Sequence, residues 1–195
     1  FFSTIITIIL GLESIAIIND AIEMLNSSGK IVSGLLKGVT ANRNIAAFSV
    51  ALKIPFVLYL IASLKSFKIK GLLSAILALA IFCILIIQSR ASYLALGLIV
   101  IAFLFQVFYF FEESKAKKTK LFSFLVFPLL LAILVNQTYF ASKGADALSR
   151  ASTISFSTND GSVNQRLRYY EDVLTHMTSN PLLGVGLGNW KFKSI

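Results

Sequence analysis

The chain has 195 residues, of which 56% are hydrophobic and 14% are charged, with a mean hydropathy of +0.81 and a formal net charge of +9. Soluble domains average about 25% charged residues, so this composition excludes an ordinary soluble protein and indicates an integral membrane protein. The positive charge is therefore assigned to loops at the membrane surface and not to nucleic-acid binding. The single cysteine, Cys83, excludes a disulfide within the chain and a metal site built on paired cysteines.

Apolar runs predict an all-α polytopic membrane protein with about five transmembrane helices. The predicted crossings cover residues 1–18, 45–64, 72–87, 93–111 and 121–135. Residues 19–44 are predicted to be a loop with a short surface helix at 21–25, and residues 63–70 and 112–120 are lysine-rich loops. Residues 1–138 then form the transmembrane region, and residues 139–195 begin a polar segment outside the bilayer. Because the chain starts without methionine and stops soon after a glycine-rich stretch, we expect a fragment of a longer protein.

Two ionisable residues interrupt the predicted crossings. Glu13 is either a functional carboxylate buried in the membrane or a residue near the water interface. Lys53 either extends its amine toward the membrane surface or lines a polar cavity. The sequence leaves both alternatives open.

An amphipathic helix is predicted after a Ser/Thr/Asn/Gly-rich linker at residues 152–162. The capping-box spacing of Ser162 and Gln165 places its start near Val163, and Asn180-Pro181 should end it. Its apolar stripe consists of Leu167, Tyr170, Leu174 and Met177. Gly184, Gly186 and Gly188 follow, and they allow a tight turn or a close approach to a ligand.

Arg166 and Arg168 are expected in the first turn of this helix, where free amide groups and the helix dipole favour an anion. Guanidinium groups in that position suit a phosphate or pyrophosphate. Alternatively, both are solvated surface charges paired with Glu171 and Asp172. His176 lies about 15 Å from Arg166 along the helix, which favours a packing role over that of a catalytic base.

Lysine density predicts the orientation in the membrane. The loops at 63–70 and 112–120 lie two crossings apart and can both be cytoplasmic, which places residues 19–44, the turn around Arg90 and the tail on the opposite face. Arg43, Arg90, Arg166 and Arg168 then share that face, as does Arg150, and lysine is expected only in the cytoplasmic loops. Arginine binds phosphate in a bidentate manner, so we predict a pyrophosphate ligand there, such as a polyprenyl-pyrophosphate sugar carrier.

Three motifs resemble the bacterial O-antigen ligase and O-antigen polymerase superfamily of polytopic membrane glycosyltransferases. They are T-A-N-R-N-I-A-A at 40–47, Q-S-R-A-S-Y-L-A-L at 88–96, and R-L-R-Y-Y with N-P-L-L-G-V-G-L-G-N-W at 166–190. The resemblance implies about a dozen helices and a large periplasmic loop, of which residues 139–195 would be the beginning. It also implies that Arg90 and Arg166 bind the donor pyrophosphate, with Arg168 and Arg43 as secondary candidates.

The function that the resemblance implies is transfer of a glycan from undecaprenyl pyrophosphate to an acceptor hydroxyl, such as that of a glycan or the lipid A core. By the same resemblance, the reaction is expected at the periplasmic face of the inner membrane, without a metal or cofactor. Tyr170 stands where the family often has Trp, and Gly184, Gly186 and Gly188 match its glycine loop. The family's catalytic histidine would lie beyond Ile195, so the fragment is expected to be inactive alone.

Two alternatives remain open at this point. One is an O-antigen or exopolysaccharide polymerase of the same superfamily, since the residues that choose the acceptor would lie elsewhere. The other is a non-enzymatic transporter or flippase of anionic lipid-linked glycans, in which Glu13 and Lys53 would lie along the transport path.

Overall fold

The structure is a computed structural model that describes residues 1–110, 114–154 and 161–179. These residues contain seven α-helices and no β-strand. The helices are α1 Phe2–Ser28, α2 Arg43–Ser63, α3 Phe67–Ile87, α4 Arg90–Phe105, α5 Lys115–Val135, α6 Ala147–Ser152 and α7 Gly161–Ser179. Short π-helical segments extend α4 over Gln106–Phe110 and α5 over Asn136–Phe140. The chain forms two compact units, Phe1–Thr153 with α1 to α6, and Ile154–Ile195 with α7.

Five helical segments are long and apolar enough to cross a membrane, which confirms the predicted all-α polytopic fold. They are α1, α2, α3, Arg90–Phe110 and Lys115–Lys143. Large apolar side chains such as Phe48, Leu98 and Phe127 are exposed on the outside of the bundle. A surface of this kind is stable when lipid surrounds it, because lipid tails impose no cost on exposed apolar groups.

The third helix is the centre of the bundle. Residues 80–87 at its C-terminal end are all buried, so α3 has no lipid-facing side there. A helix that is hydrophobic on all sides is stable only when neighbours cover it completely. The second helix packs against α1, α3 and α4, whereas α5 packs mainly against α3. The helices α4 and α5 therefore contact different helices of the α2–α3 pair most extensively.

The predicted loop at residues 19–44 is wrong in its first part, because α1 continues without a break through Ser28. The separate surface helix at 21–25 is therefore wrong as well. Ala21 is buried, and Leu25 packs against the core, so these residues extend the buried face of α1 beyond the predicted crossing. The helix ends at Gly29, whose φ of 67° is the left-handed conformation typical of a glycine C-cap.

The lysine-rich segments are more helical than predicted. The loop between α2 and α3 is confined to residues 64–66, so Lys68 and Lys70 lie in the first turn of α3. Likewise α5 begins at Lys115, and its lysines fill the first two turns. Lysine has a high helix propensity, and its long stem can reach the membrane surface from inside a helix.

The amphipathic helix exists, but its start differs from the prediction. Because α7 begins at Gly161, Ser162 lies inside the helix and not at an N-cap position. Arg166 and Arg168 are then its sixth and eighth residues, beyond the first turn, so the predicted placement at the helix N-terminus is wrong. The end of α7 at Ser179 agrees with the expected stop before Asn180-Pro181.

Glu13 and Lys53 form an ion pair between the middle of α1 and the middle of α2. Lys53 Nζ lies 2.8 Å from Glu13 Oε2, and it also donates to the carbonyl oxygen and the hydroxyl of Ser49. The side chain of Glu13 is 7% exposed and that of Lys53 is 18% exposed. Both residues are largely buried, and each one supplies the counter-charge of the other.

Candidate functional site

The loops that follow α1 and α5 meet at one end of the helix bundle, which we call the arginine end. The backbone amide of Ile31 donates a 2.7 Å hydrogen bond to the carbonyl oxygen of Lys143. Gly144 follows with a φ of 91°, and its α-carbon faces the Ile31 carbonyl so closely that a β-carbon would lie 2.7 Å from that oxygen. This contact holds the segment after α5 against the segment after α1, on the face where the sequence predicts both to lie.

Arg43 is the first residue of α2 at this end. Asn42 caps the helix, because its side-chain oxygen accepts hydrogen bonds from the amides of Asn44 at 2.9 Å and Ile45 at 3.4 Å. The guanidinium Nη1 of Arg43 donates to Ser33 Oγ at 3.3 Å. The asparagine-rich motif is thus a helix cap that fixes where the arginine begins the helix.

Arg90 is the first residue of α4, directly after the short turn from α3. Gln88 adopts a left-handed conformation with φ of 59°, which is uncommon for a residue other than glycine. Ser89 and Ser92 are buried below the turn, and the Ser92 hydroxyl donates to Ser89 Oγ at 3.3 Å. Tyr93 donates its hydroxyl to the Leu85 carbonyl oxygen at 3.0 Å, which joins the start of α4 to the last turn of α3. The turn before Arg90 is therefore stabilised by the serine pair and by the bond from Tyr93 of α4 to Leu85 of α3.

Two arginines thus begin two adjacent helices that run in the same direction. The helices α2 and α4 pack against each other, and both start at the arginine end. The N-terminus of a helix carries a partial positive charge, so an arginine at that position is unfavourable unless an anion compensates it. Because the Asn42 side chain already accepts from two amides at the start of α2, the guanidinium groups are the donors available to a phosphate there. This geometry suits a bound anion.

A polar network ties α6 to the turn before Arg90. The Nε of Arg150 donates to the Gln88 carbonyl oxygen at 3.2 Å, and Gln88 Nε2 donates to the Asp146 carbonyl oxygen at 3.0 Å. Asn136, which is fully buried, donates to the Ala145 carbonyl oxygen at 2.8 Å and accepts from the amide of Ala147 at 3.1 Å. These hydrogen bonds hold the segment from Asn136 to Arg150 against the turn between α3 and α4.

The carboxylate of Asp146 caps α6. It accepts from the Ser149 amide at 3.1 Å and from Gln137 Nε2 at 3.3 Å. The Ser149 amide bond is the main reason why the pKa of Asp146 lies below its usual value, against a smaller opposing effect of burial. Asp146 is therefore a carboxylate at neutral pH and serves as a helix cap at the arginine end.

An apolar groove lies between α4 and α5, next to the segment from Asn136 to Arg150. Its volume is about 260 Å³, and its lining includes Tyr93, Gly97, Leu129 and Ile133, with Gln137 at the arginine end. Gly97 widens the groove, since a β-carbon there would meet no atom within 4 Å. The groove has room for part of an apolar chain whose polar end lies near the turn before α4.

The other predicted anion-binding residues lie in the second unit. Arg166, Arg168 and Tyr170 are exposed on α7, and neither arginine forms an ion pair with Glu171 or Asp172 in the described part of the chain. His176 lies in the last turn of α7. Gly184, Gly186 and Gly188 lie outside the described residues. The structure thus brings Arg43 and Arg90 to one end of the first unit, and it describes Arg166 and Arg168 within the second unit alone.

A family model described as O-antigen ligase matches residues 75–195. The match covers more than half of the chain. The chain belongs to the O-antigen ligase family. No curated protein and no solved structure matches the chain.

Membership of the O-antigen ligase family confirms the resemblance inferred from the three motifs. Two of them, the turn with Arg90 and the segment with Arg166, lie inside the matched residues, whereas Arg43 lies before them. The family indicates a glycosyltransferase-like ligase or polymerase that acts on lipid-linked glycans in a bacterial membrane. The five membrane-spanning helices agree with that location.

Arg150 is the residue at this end that the sequence left without a role. It was expected on the same face as the other arginines, and its bond to the Gln88 carbonyl was not foreseen. The available signal was Asp146, which stands at the N-cap position of a short helix and so places Arg150 one turn later. The expectation that lysine serves only the other face is wrong, because Lys30, Lys37 and Lys143 lie in the loops of the arginine end.

Proposed function

We propose that the chain forms part of an O-antigen ligase-like enzyme that transfers a glycan from undecaprenyl pyrophosphate to an acceptor hydroxyl. The reaction is proposed to occur at the periplasmic face of the inner membrane and without a metal. The observation that carries this proposal is that Arg43 and Arg90 are the first residues of two adjacent, parallel membrane helices. The O-antigen ligase family supplies the class of reaction.

The proposed role of the arginines is to stabilise the leaving group. The bond between the anomeric carbon of the donor sugar and the pyrophosphate oxygen breaks, and a bond from that carbon to the acceptor oxygen forms. Negative charge then develops on the departing pyrophosphate, and guanidinium groups fixed in advance stabilise such charge. Arg90 is the main candidate because the turn before it is held by bonds from α3, α4 and α6.

The prenyl chain of the carrier is proposed to enter the apolar groove between α4 and α5. That groove opens at the end of the bundle where Arg90 begins α4. An isoprenoid chain would bury its surface against Leu129, Ile133 and the open face of Gly97, while its pyrophosphate remains among polar groups. The same end of the bundle would then bind both parts of the donor.

The second unit is proposed to add the remaining donor contacts. Arg166 and Arg168 would bind the pyrophosphate, Tyr170 would support the sugar or lipid, and the loop with Gly184, Gly186 and Gly188 would allow close approach. In this proposal residues 1–138 form the membrane region and residues 139–195 begin the periplasmic loop.

The test uses the intact membrane protein reconstituted in vesicles with an undecaprenyl-pyrophosphate-linked glycan. The Arg90→Ala variant should lose glycan transfer by about 100-fold or more, as expected for the loss of a group that stabilises transition-state charge. Arg90→Lys should recover part of the activity, since it restores charge but not the bidentate geometry. Lys37→Gln, an exposed change at the same end, is the matched control and should stay near wild type.

Wild-type transfer by both Arg90→Ala and Arg166→Ala would refute the assignment of the arginines. Offering lipid A core and a growing glycan as separate acceptors distinguishes a ligase from a polymerase of the same family. Movement of the carrier across the vesicle membrane without a new glycosidic bond would instead identify a transporter. The ion pair between Glu13 and Lys53 gives that last alternative little support, because each residue already neutralises the other.

A further inference from the structure

Two adjoining cavities lie at the opposite end of the bundle, which we call the lysine end. One is an apolar groove of about 540 Å³ between α3 and α5, and the other is a cavity of about 470 Å³ where the loop after α2 meets the first turns of α3 and α5. Phe67, Lys120 and Phe124 line both of them. The two cavities therefore form one continuous site with an apolar interior and a polar mouth.

The groove exists because one face of α3 carries small residues. Gly71, Ala75 and Ala78 recur at steps of four and three, so they lie on the same face of the helix. They oppose Phe127 and Leu131 of α5, and a β-carbon added to Gly71 would meet no atom within 4 Å. The small side chains therefore leave a groove beside the contact between α3 and α5.

The length of the groove matches one leaflet of a bilayer. Its lining runs from Phe67 to Ala78 on α3 and from Lys120 to Leu131 on α5, so its two ends are eleven residue steps apart on each helix. At 1.5 Å per residue this is about 16 Å. Half of a typical hydrocarbon core is about 15 Å, so the groove reaches from the membrane surface to the middle of the bilayer.

The mouth of the site is a cluster of lysines drawn from three segments of the chain. Lys65 follows α2, Lys70 lies in the first turn of α3, and Lys117 and Lys120 lie in the first turns of α5. Among the described residues that line the mouth, none is acidic. Four ammonium groups around one cavity repel each other, and a bound anion removes that repulsion.

We propose that this site binds an anionic phospholipid of the leaflet at the lysine end. One acyl chain lies in the groove between α3 and α5, and the headgroup phosphate lies among Lys65, Lys70, Lys117 and Lys120. A transmembrane helix from elsewhere could cover an apolar groove, but an apolar helix would bring no anion to Lys65, Lys70 and Lys120. The site is separate from the proposed donor site, because the two lie at opposite ends of the bundle.

The first experiment measures lipid retention by the intact membrane protein. Purified protein is equilibrated with phosphatidylglycerol or phosphatidylcholine, and the bound lipid is counted by native mass spectrometry. We expect wild type to retain phosphatidylglycerol preferentially, and Lys70→Gln/Lys120→Gln to bind it about 30-fold more weakly, since each lysine near an anionic headgroup contributes about fivefold. The control Lys68→Gln/Lys115→Gln removes the same charge from the same two helices without touching the site, and should retain lipid as wild type does.

The second experiment fills the groove without changing charge. Gly71→Leu places a side chain in open space on α3 and should reduce phosphatidylglycerol retention although all four lysines remain. Leu72→Phe, which enlarges an exposed side chain of α3 outside the groove, is the control and should leave retention unchanged. An equal loss in both variants would show non-specific lipid binding and overturn the proposal.

A photo-crosslinking residue at position 75 identifies the occupant directly. Adducts with phospholipid in the bilayer support the proposal. Adducts with another protein segment would show that the groove is a helix-packing face and would overturn it. Equal retention of phosphatidylglycerol and phosphatidylcholine by wild type would also overturn it, because the lysines would then not distinguish an anionic headgroup from a zwitterionic one.

Discussion

Arg150 and Gln88 are joined by a 3.2 Å hydrogen bond from the guanidinium Nε to the backbone carbonyl oxygen, across 62 positions of the chain. The side chain of Gln88 returns a bond to the carbonyl oxygen of Asp146. This pair of bonds connects α6 to the turn that begins α4. In the proposed enzyme, Arg150 is therefore a positioning residue that determines where Arg90 lies.

Arg150→Ala should reduce glycan transfer while leaving the charge of Arg90 intact. A lost bond of this kind costs about 1 kcal/mol, which corresponds to a several-fold loss of transfer through misplacement of Arg90. Arg150→Lys should give a partial loss, because its amine can reach the carbonyl with a different geometry. Lys143→Ala, a nearby loop change, is the control. If Arg150→Ala lowers activity as severely as Arg90→Ala, Arg150 contacts the donor itself and the positioning role is wrong.

The stability of α6 should depend on pH, because Asp146 caps this helix. Its pKa in the folded protein is lowered, mainly by the Ser149 amide, so its contribution to stability is complete above the unfolded value of about 3.9 and is lost as pH falls through the lower folded value. The protection of the amides at residues 147–150 against hydrogen exchange, relative to the intrinsic exchange rate at each pH, should therefore decrease below about pH 4.

Two variants isolate this effect. Asp146→Ala removes the cap at every pH and should weaken α6 by about 1 kcal/mol. Asp146→Asn keeps a capping oxygen and removes the titration, so the protection of these amides should not change around pH 4. Acid-induced opening of α6 that persists in Asp146→Asn would assign the effect to another group.

The number of membrane helices followed from composition, because long apolar runs have few stable alternatives in a lipid bilayer. Helix ends were harder to predict, since they depend on contacts outside the helix. Hydropathy alone ended the first crossing at residue 18, whereas the buried Ala21 and the packing of Leu25 carry α1 to Ser28. The capping-box spacing at Ser162 was similarly misleading, because α7 starts before it.

The candidate site was predicted in part. Arg43 and Arg90 were expected on one face, and the structure adds that each is the first residue of its helix. The bonds from Asn136 and Arg150 could not be foreseen, because they depend on how α6 folds back against the turn after α3. The lysine mouth was missed because lysine clusters were interpreted as topology signals, and a cavity between two helices leaves little trace in the sequence.

The ion pair between Glu13 and Lys53 should stabilise the bundle as a unit. Lys53→Met leaves the buried carboxylate of Glu13 without its partner, at an expected cost of about 3 kcal/mol. The double variant Glu13→Leu/Lys53→Met removes both charges and should regain most of the stability. Thermal unfolding of all variants in detergent measures the coupling. A double variant that is less stable than Lys53→Met would show that the two residues do not stabilise the bundle as a pair. Their alternative role along a transport path would then need to be tested.

Gly144→Ala should separate the two loops that meet at the arginine end. The substitution requires a left-handed backbone for alanine and also places a β-carbon 2.7 Å from the Ile31 carbonyl oxygen, which is backbone and cannot move aside freely. We expect a loss of about 2 kcal/mol in stability, and faster exchange of the Ile31 amide, which bonds to Lys143. Gly34→Ala is the matched control, because its φ is not positive and its β-carbon would meet no atom within 4 Å. Equal stability of the two variants would show that the contact between the loops does not hold this end together.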